Sequence, residues 1–322
     1  MRYFDGSLRF VSVDVTASAH GRTWQHTRSF SNSLGTHAPA FNPNSAMRLA
    51  AKERKERRDT ELELRHGLPG IHPLTQTIVT VPPGTQTSVS SSVKFHYNWI
   101  EIPQAGFRLA NVSLEIDHLT VAAAYYEYHL SGSPQGRAGD LRRVQRARLS
   151  PIAGGGIENV GDSWYTYHLT DFRGLKFALE QEALARVRAA NIDPASPVAG
   201  FTGYADFHFE YDASGRVQSE TVKAGAYTYT FDYFQRGAVA GGSSSSSIGP
   251  VNPYPTEFNT WRYCTIETRP GGTKNIVYCN ASGQTMLHVF RSGTNKWLTG
   301  YRFGEKGRVI RKAESSAILP NY

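Results

Sequence analysis

The sequence predicts a mainly β protein: repeated β-hairpins forming one sheet, with a short charged helix and one amphipathic helix. Three observations predict it. First, a short phrase recurs in the second half of the chain. It reads Phe209-Glu-Tyr211-Asp212-Ala-Ser-Gly215-Arg216-Val217, then Val277-Tyr-Cys279-Asn280-Ala-Ser-Gly283-Gln284-Thr285, then Tyr301-Arg-Phe303-Gly304-Glu-Lys-Gly307-Arg308-Val309. Second, aromatic and β-branched residues alternate with polar ones in many short runs, the period of a half-buried strand. Third, the 322 residues include 17 Tyr and 30 Gly, a composition rich in strand formers and turn residues.

The phrase is a hairpin written in side chains. Its aromatics alternate, as strand residues do when one face is buried. Asp or Asn then bonds the backbone ahead of it, and Gly three places later supplies positive φ without steric cost. One hairpin is marginal alone in water, so repeated hairpins must pair laterally. Gly283 and Gly307 lie 24 residues apart, which sets the period. The 41 residues from Gly174 to Gly215 and the 68 from Gly215 to Gly283 fit two and three periods with degenerate copies between. The stretch Tyr165-Thr-Tyr167-His-Leu-Thr-Asp171-Phe-Arg-Gly174 reads as a worn copy.

Taken in order, residues 1–45 form a β leader, with Phe10, Val11, Val13 and Val15 among polar partners, ending in a Gly, Pro and Asn-rich loop. Residues 46–76 are a charged helix and linker. Ala46 to His66 holds no Gly or Pro, and Glu53 and Arg57 make an i,i+4 pair. Residues 77–160 are a β region with an Arg-rich loop. Its strands run 77–81, 88–99, 113–118 and 121–130, with turns at Pro82-Pro83-Gly84 and Pro103-Gln-Ala-Gly106. Residues 131–160 read as a loop with a short helix. Leu175 to Ala190 reads as the amphipathic helix, with apolar residues at spacings of three and four, stopped by Asn191-Ile-Asp-Pro194. The repeat sheet covers 161–322, interrupted by a Gly/Ser loop at 241–249.

The formal charge is +8, which permits contact with acidic glycans, anionic lipid or nucleic acid. The densest basic stretch holds five arginines, Arg137, Arg142, Arg143, Arg146 and Arg148, a candidate anion contact. It carries neither stacking aromatics nor a helix-turn-helix pattern, so no nucleic-acid partner is expected. Cys264 and Cys279 lie on adjacent predicted strands around the turn at Pro270-Gly271-Gly272. Either they face each other and are bridged, as suits an exported protein, or they are reduced and buried.

The search for chemistry returns little. No nucleophile elbow, phosphate loop, dinucleotide fingerprint or zinc-protease motif is present. Cysteine and histidine spacing supports no metal, and no cofactor or catalytic residue is assigned. The pair Glu115 and Asp117 shares a strand face without a partner. No run of eighteen apolar residues offers a membrane span, and Met1-Arg-Tyr-Phe-Asp enters strand-like alternation at once, without a signal peptide.

At the three phrases the sequence resembles the YD-repeat, or RHS-repeat, family. The resemblance is close over 204–233 and 275–313 and loose over 161–176. Arg2-Tyr-Phe-Asp5-Gly6 and Gly21-Arg-Thr-Trp24 look like the region that leads into such repeats, while 36–160 carries little resemblance. The resemblance makes Tyr211, Asp212, Gly215, Arg216, Asn280, Gly283, Gln284, Phe303, Gly307 and Arg308 structural repeat residues. It implies an extracellular or cell-surface setting, further repeats of the same or an adjoining chain as partners, and a wall enclosing a cargo, often a toxic domain. The self-cleavage motif of longer members, Asp-Pro-x-Gly-Leu, is not matched by Asp193-Pro194-Ala-Ser. The expectation is a non-enzymatic wall segment, read as a fragment because the chain stops soon after a repeat. A carbohydrate-binding surface module that stacks sugars on the repeat aromatics is the alternative. An anionic-polymer binder that uses the arginines is a weaker one.

Overall fold

The computed structural model of the chain describes residues 8–19, 22–31, 76–80, 93–150, 156–169, 174–196, 200–235 and 259–318. The expected charged helix at 46–66, the turn at 82–84 and the Gly/Ser stretch at 241–249 lie outside the described residues. The chain divides into two compact units. One comprises 10–32 and 36–206, the other 1–9, 33–35 and 207–322. The division therefore falls after Asp206, whereas the expected start of the repeat sheet, residue 161, lies inside a strand of the first unit.

In the first unit, β1 (Arg9–Ala19) and β2 (Arg22–Ser31) make a two-stranded sheet. Seven further strands follow as a meander: β3 (Gln76–Thr80), β4 (Val93–Ile102), β5 (Gly106–Ile116), β6 (Leu119–Tyr128), β7 (Leu141–Leu149), β8 (Ile157–His168) and β9 (Gly174–Leu179). Each pairs antiparallel with the next. Asp117 and His118 close the β5–β6 hairpin with φ of 50° and 67°, the two-residue turn whose twist matches its strands. Asp117 is thus a turn residue. Glu115 stays on its strand and meets Lys94 at 3.2 Å and His96 at 2.9 Å.

The first unit departs from the sequence expectation at three places. Residues 141–149 are a strand, not a loop with a short helix. Leu141, Val144 and Ala147 are buried at a helix-like spacing of three. The register sets Val144 across from Tyr126 and Leu141 across from Tyr128 on one face, and Ala147 across from Ala123 on the other, so β7 buries residues on both faces. The amphipathic helix begins later than its apolar spacing indicates. Gly174–Leu179 is the strand β9, paired with β8, and α1 runs Gln181–Ala189. Leu175, Phe177 and Leu179 alternate with the period of a strand, and the ladder to β8 takes up the backbone of this stretch. Ala183, Leu184 and Val187 of α1 pack with Trp164, Phe177 and Phe201. Asn191 ends the helix at φ 56°, with Asn191 N–H bonding Arg188 O and Ile192 N–H bonding Val187 O, a Schellman closure. Gly174 pairs with His168 inside the ladder, so it is not the turn glycine of a worn repeat.

The second unit is a meander of eight strands: β10 (Phe207–Tyr211), β11 (Val217–Val222), β12 (Tyr227–Gln235), β13 (Trp261–Thr268), β14 (Lys274–Asn280), β15 (Thr285–Ser292), β16 (Asn295–Phe303) and β17 (Val309–Glu314). All its neighbours are antiparallel. The turns after β10, β14 and β16 lie at one end of this sheet, and those after β11, β13 and β15 at the other. The long connection from β12 to β13 falls at the first end, in sequence with the three phrases. The interval from Gly215 to Gly283 therefore holds four strands, two hairpin units rather than three. Its extra length sits in that one connection.

One face of this unit carries a cluster of Trp261, Cys264, Tyr278, Leu287 and Val289. After β17 a 3-10 turn, Ser315–Ala317, brings Ile318 back onto that cluster. Ser315 Oγ donates to Leu298 O at 3.1 Å and anchors the return.

Candidate functional site

The three phrases form three turns of one design. In each, the first residue donates its N–H to the carbonyl of the fifth: Asp212 to Arg216 at 2.8 Å, Asn280 to Gln284 at 3.0 Å, Gly304 to Arg308 at 2.9 Å. In each, the glycine donates back to the carbonyl of the first residue, at 2.9, 3.0 and 2.8 Å. The glycines sit at φ 74°, 77° and 70°, where a side chain is strained, so Gly215, Gly283 and Gly307 are required by conformation. The turn at Arg269–Thr273, at the opposite end of the sheet, closes by the same two bonds.

The Asx residue does what turn chemistry asks. Asp212 Oδ1 accepts the N–H groups of Ser214 and Arg216, both at 2.9 Å, and Asn280 Oδ1 accepts those of Ser282 and Gln284, both at 3.0 Å. The fifth residue then matches the first in chemistry. Arg216 Nε donates to Asp212 Oδ2 at 2.7 Å, a charge-assisted pair. Asn280 Nδ2 donates to Gln284 Oε1 at 2.9 Å, an amide pair. At the third turn Gly304 has no side chain to offer, and the guanidinium of Arg308 has no hydrogen-bond or ion-pair partner among the described residues.

The fifth residue also reaches sideways. Arg216 stacks its guanidinium 4.5 Å from the ring centroid of Tyr233, whose hydroxyl donates to Val217 O at 2.6 Å. Gln284 Nε2 donates to Gly307 O at 2.9 Å, tying one motif turn to the next. Between those two turns the exposed face of the sheet is hollowed into a groove of about 520 Å³, lined by Val277, Gln284, Thr285, His288, Tyr301, Phe303 and Val309. Phe303 is buried, while Tyr301 and His288 are part exposed. The phrase pointed to Gln284, Tyr301 and Phe303. His288 was missed, since it becomes a neighbour only through the β14–β15 register that sets it across from Val277.

The arginine stretch is dispersed rather than gathered. Arg142 stacks on Trp164 at 4.7 Å, and Arg143 bonds Glu127 at 3.0 Å and Asp162 at 2.9 Å. Arg146 donates to Ser163 at 2.7 Å and Ser12 at 3.0 Å and lies 3.6 Å from the buried carboxylate of Asp14. Arg148 and Arg137 are exposed on a strand and in a turn. Burial raises the Asp162 carboxyl, but hydrogen bonds from Arg188 and Arg143 outweigh it and hold the group below the ordinary carboxylate range.

The bridge considered for Cys264 and Cys279 is absent: both are free, buried thiols. The register sets Cys264 across from Tyr278 and Cys279 across from Tyr263. The two cysteines therefore occupy adjacent positions on opposite faces, where no disulfide reaches. Burial pushes the Cys264 thiol up to about 12 and raises that of Cys279 as well.

One histidine is set apart from the rest. His129 is buried, donates from Nε2 to Tyr165 O at 3.1 Å and accepts at Nδ1 from Ser133 at 2.9 Å. Burial pushes its pKa down to about 4. A Cβ at Gly136 would come within 2.3 Å of its ring, so the turn is closed directly over the imidazole. Among the described residues no cluster of His, Cys, Asp or Glu has the arrangement of a metal site, and no helix is long and apolar enough to cross a membrane.

No protein-family model matches this chain, and no curated protein matches it.

Proposed function

We propose that the chain is a non-enzymatic wall segment of a large YD- or RHS-type repeat protein, working outside or at the surface of cells. One observation carries this: three turns with the same hydrogen bonds and the same glycine conformation stand at one end of a single meander, two of them joined laterally by Gln284 and Gly307. At the first two turns the side chains of the repeat positions are taken up by turn closure and by contact with the next strand or turn, which is the work of a wall rather than of a catalyst. A carbohydrate-binding module is the competing reading, favoured by the groove beside Tyr301 and His288. A glycan array separates the two. The wall reading expects no specific hit. A saturable hit that disappears in Tyr301→Ala, with the circular dichroism spectrum unchanged, overturns it in favour of the module.

A further inference from the structure

We propose that the outer edge of β17 is a recognition edge for an added strand that presents an aromatic ring to Arg308. The inference rests on the wall reading and names the chemistry of its next partner.

The rule is read from the two turns that have a neighbour. The β11–β12 register pairs Ser219 with Thr230 and Val222 with Tyr227. Continued to the turn, it sets Arg216 across from Tyr233, the ring on which it stacks. Beyond Leu287 and Gly300 the β15–β16 ladder gives way to Asn259, whose side chain bonds the Phe303 backbone, and Gln284 and Phe303 line one groove. At both turns the fifth residue therefore lies beside an aromatic of the following strand. Arg308 is the fifth residue of the third turn. It is exposed, and its guanidinium has no partner among the described residues.

The edge beside it is prepared in the same way. Among the described strands β17 is the outermost of its sheet, with Val309 54% and Ile310 65% exposed. An unpaired strand of this kind offers a row of free backbone donors and acceptors. Its outward charge selects the occupant. The β16–β17 ladder already sets Arg302 opposite Arg311, so a second copy pairing antiparallel through β17 with Arg311 opposite Lys312 would bring a further cation to the same place. The occupant is therefore a strand of the repeat type, aromatic opposite Arg308 and neutral or acidic opposite Arg311. β12 has that pattern: aligned as it lies on β11, Tyr233 would face Arg308, Asp232 would face Val309 and Thr230 would face Arg311.

The probe is a soluble tagged peptide with the β12 sequence, Tyr227 to Gln235, titrated into the full chain by fluorescence anisotropy. Saturable binding is expected, and methylation of alternate backbone amides should abolish it. Replacing the peptide tyrosine that corresponds to Tyr233 by alanine, and Arg308→Ala in the chain, should each weaken binding about fivefold, the order of one cation–π contact. Combining the two changes should add little further loss. Absence of binding overturns the proposal, as does equal affinity of the Arg308→Ala chain. So does a dimer of the chain alone, seen by sedimentation, that the peptide fails to displace. None of these outcomes touches the internal repeats, which insertion of a duplicated hairpin unit tests separately.

Discussion

Gln284 donates its side-chain amide to the backbone carbonyl of Gly307, 23 residues further along the chain, at 2.9 Å. The same side chain accepts from Asn280 within its own turn. One residue thus closes its hairpin and clamps the neighbouring one. Gln284→Ala should destabilise the chain by about 1 kcal/mol, the net worth of an ordinary hydrogen bond, and the loss should be local. Hydrogen exchange should quicken at residues 304–308 more than at 212–216. Equal protection of both turns in the variant would show that the clamp carries no coupling.

The turn glycines give a sharper test. Gly215, Gly283 and Gly307 all hold φ between 70° and 77°. Valine there combines a disfavoured left-handed backbone with a branched Cβ, so each single replacement should cost more than about 1 kcal/mol in urea unfolding. Valine variants that unfold at the parental midpoint would refute the turn geometry.

First and fifth turn residues should be exchangeable as pairs. Asp212→Asn alone should leave an amide facing the Arg216 guanidinium, and Arg216→Gln alone should strip the carboxylate of its ionic partner. Made together, they recreate the Asn280 and Gln284 arrangement. A double-mutant cycle should therefore show the pair less destabilised than the sum of the singles, by about 0.5 kcal/mol or more. Strict additivity would mean that the two side chains do not act as a unit.

His129 makes stability depend on pH. Its folded pKa of about 4 lies below the ordinary value near 6.5, so the unfolded chain binds the proton more readily. The stabilising contribution is complete above pH 6.5 and is lost as pH falls toward 4, by about 3 kcal/mol in all. In His129→Gln, which keeps hydrogen-bonding capacity without titrating, that slope should flatten. An unchanged slope would assign the acid sensitivity to other groups.

The thiols supply a chemical check. With Cys264 raised to about 12 by burial, almost no thiolate exists at neutral pH. A thiol-specific reagent should label neither cysteine in the native chain and both in denaturant without reductant. Label missing from the denatured, unreduced chain would indicate a disulfide.

The repeat turns were legible because their chemistry is local. Asp212 and Gly215 speak to each other across three peptide bonds, and Asn280 and Gly283 do the same. The arginine strand and the start of α1 were not legible, because there the outcome depends on partners remote in sequence. Leu141, Val144 and Ala147 keep a helix-like spacing, yet pairing with β6 on one edge and β8 on the other makes this stretch a strand. Leu175 to Leu179 carries helix formers, yet the open edge of β8 recruits it as a strand. Likewise the cysteines sit on the two strands that were expected for them, but a one-residue register difference turns them to opposite faces. The groove lies between these cases: Tyr301 and Phe303 stand in the phrase, while His288 joins them only through pairing.

The claim that the second unit is a lateral array of equivalent hairpins is tested most directly by adding one. Duplicating Thr285 to Arg308 immediately after Arg308 inserts a complete 24-residue period between the third turn and β17. In a nearest-neighbour array an internal unit adds its own stability and one more interface. The account predicts a folded chain with the same circular dichroism shape and a urea midpoint at or above that of the parent. The unfolding slope should be larger too, because more surface is buried. An inserted chain that is less stable than the parent, or that exposes the duplicated segment to protease while the rest stays folded, would contradict it.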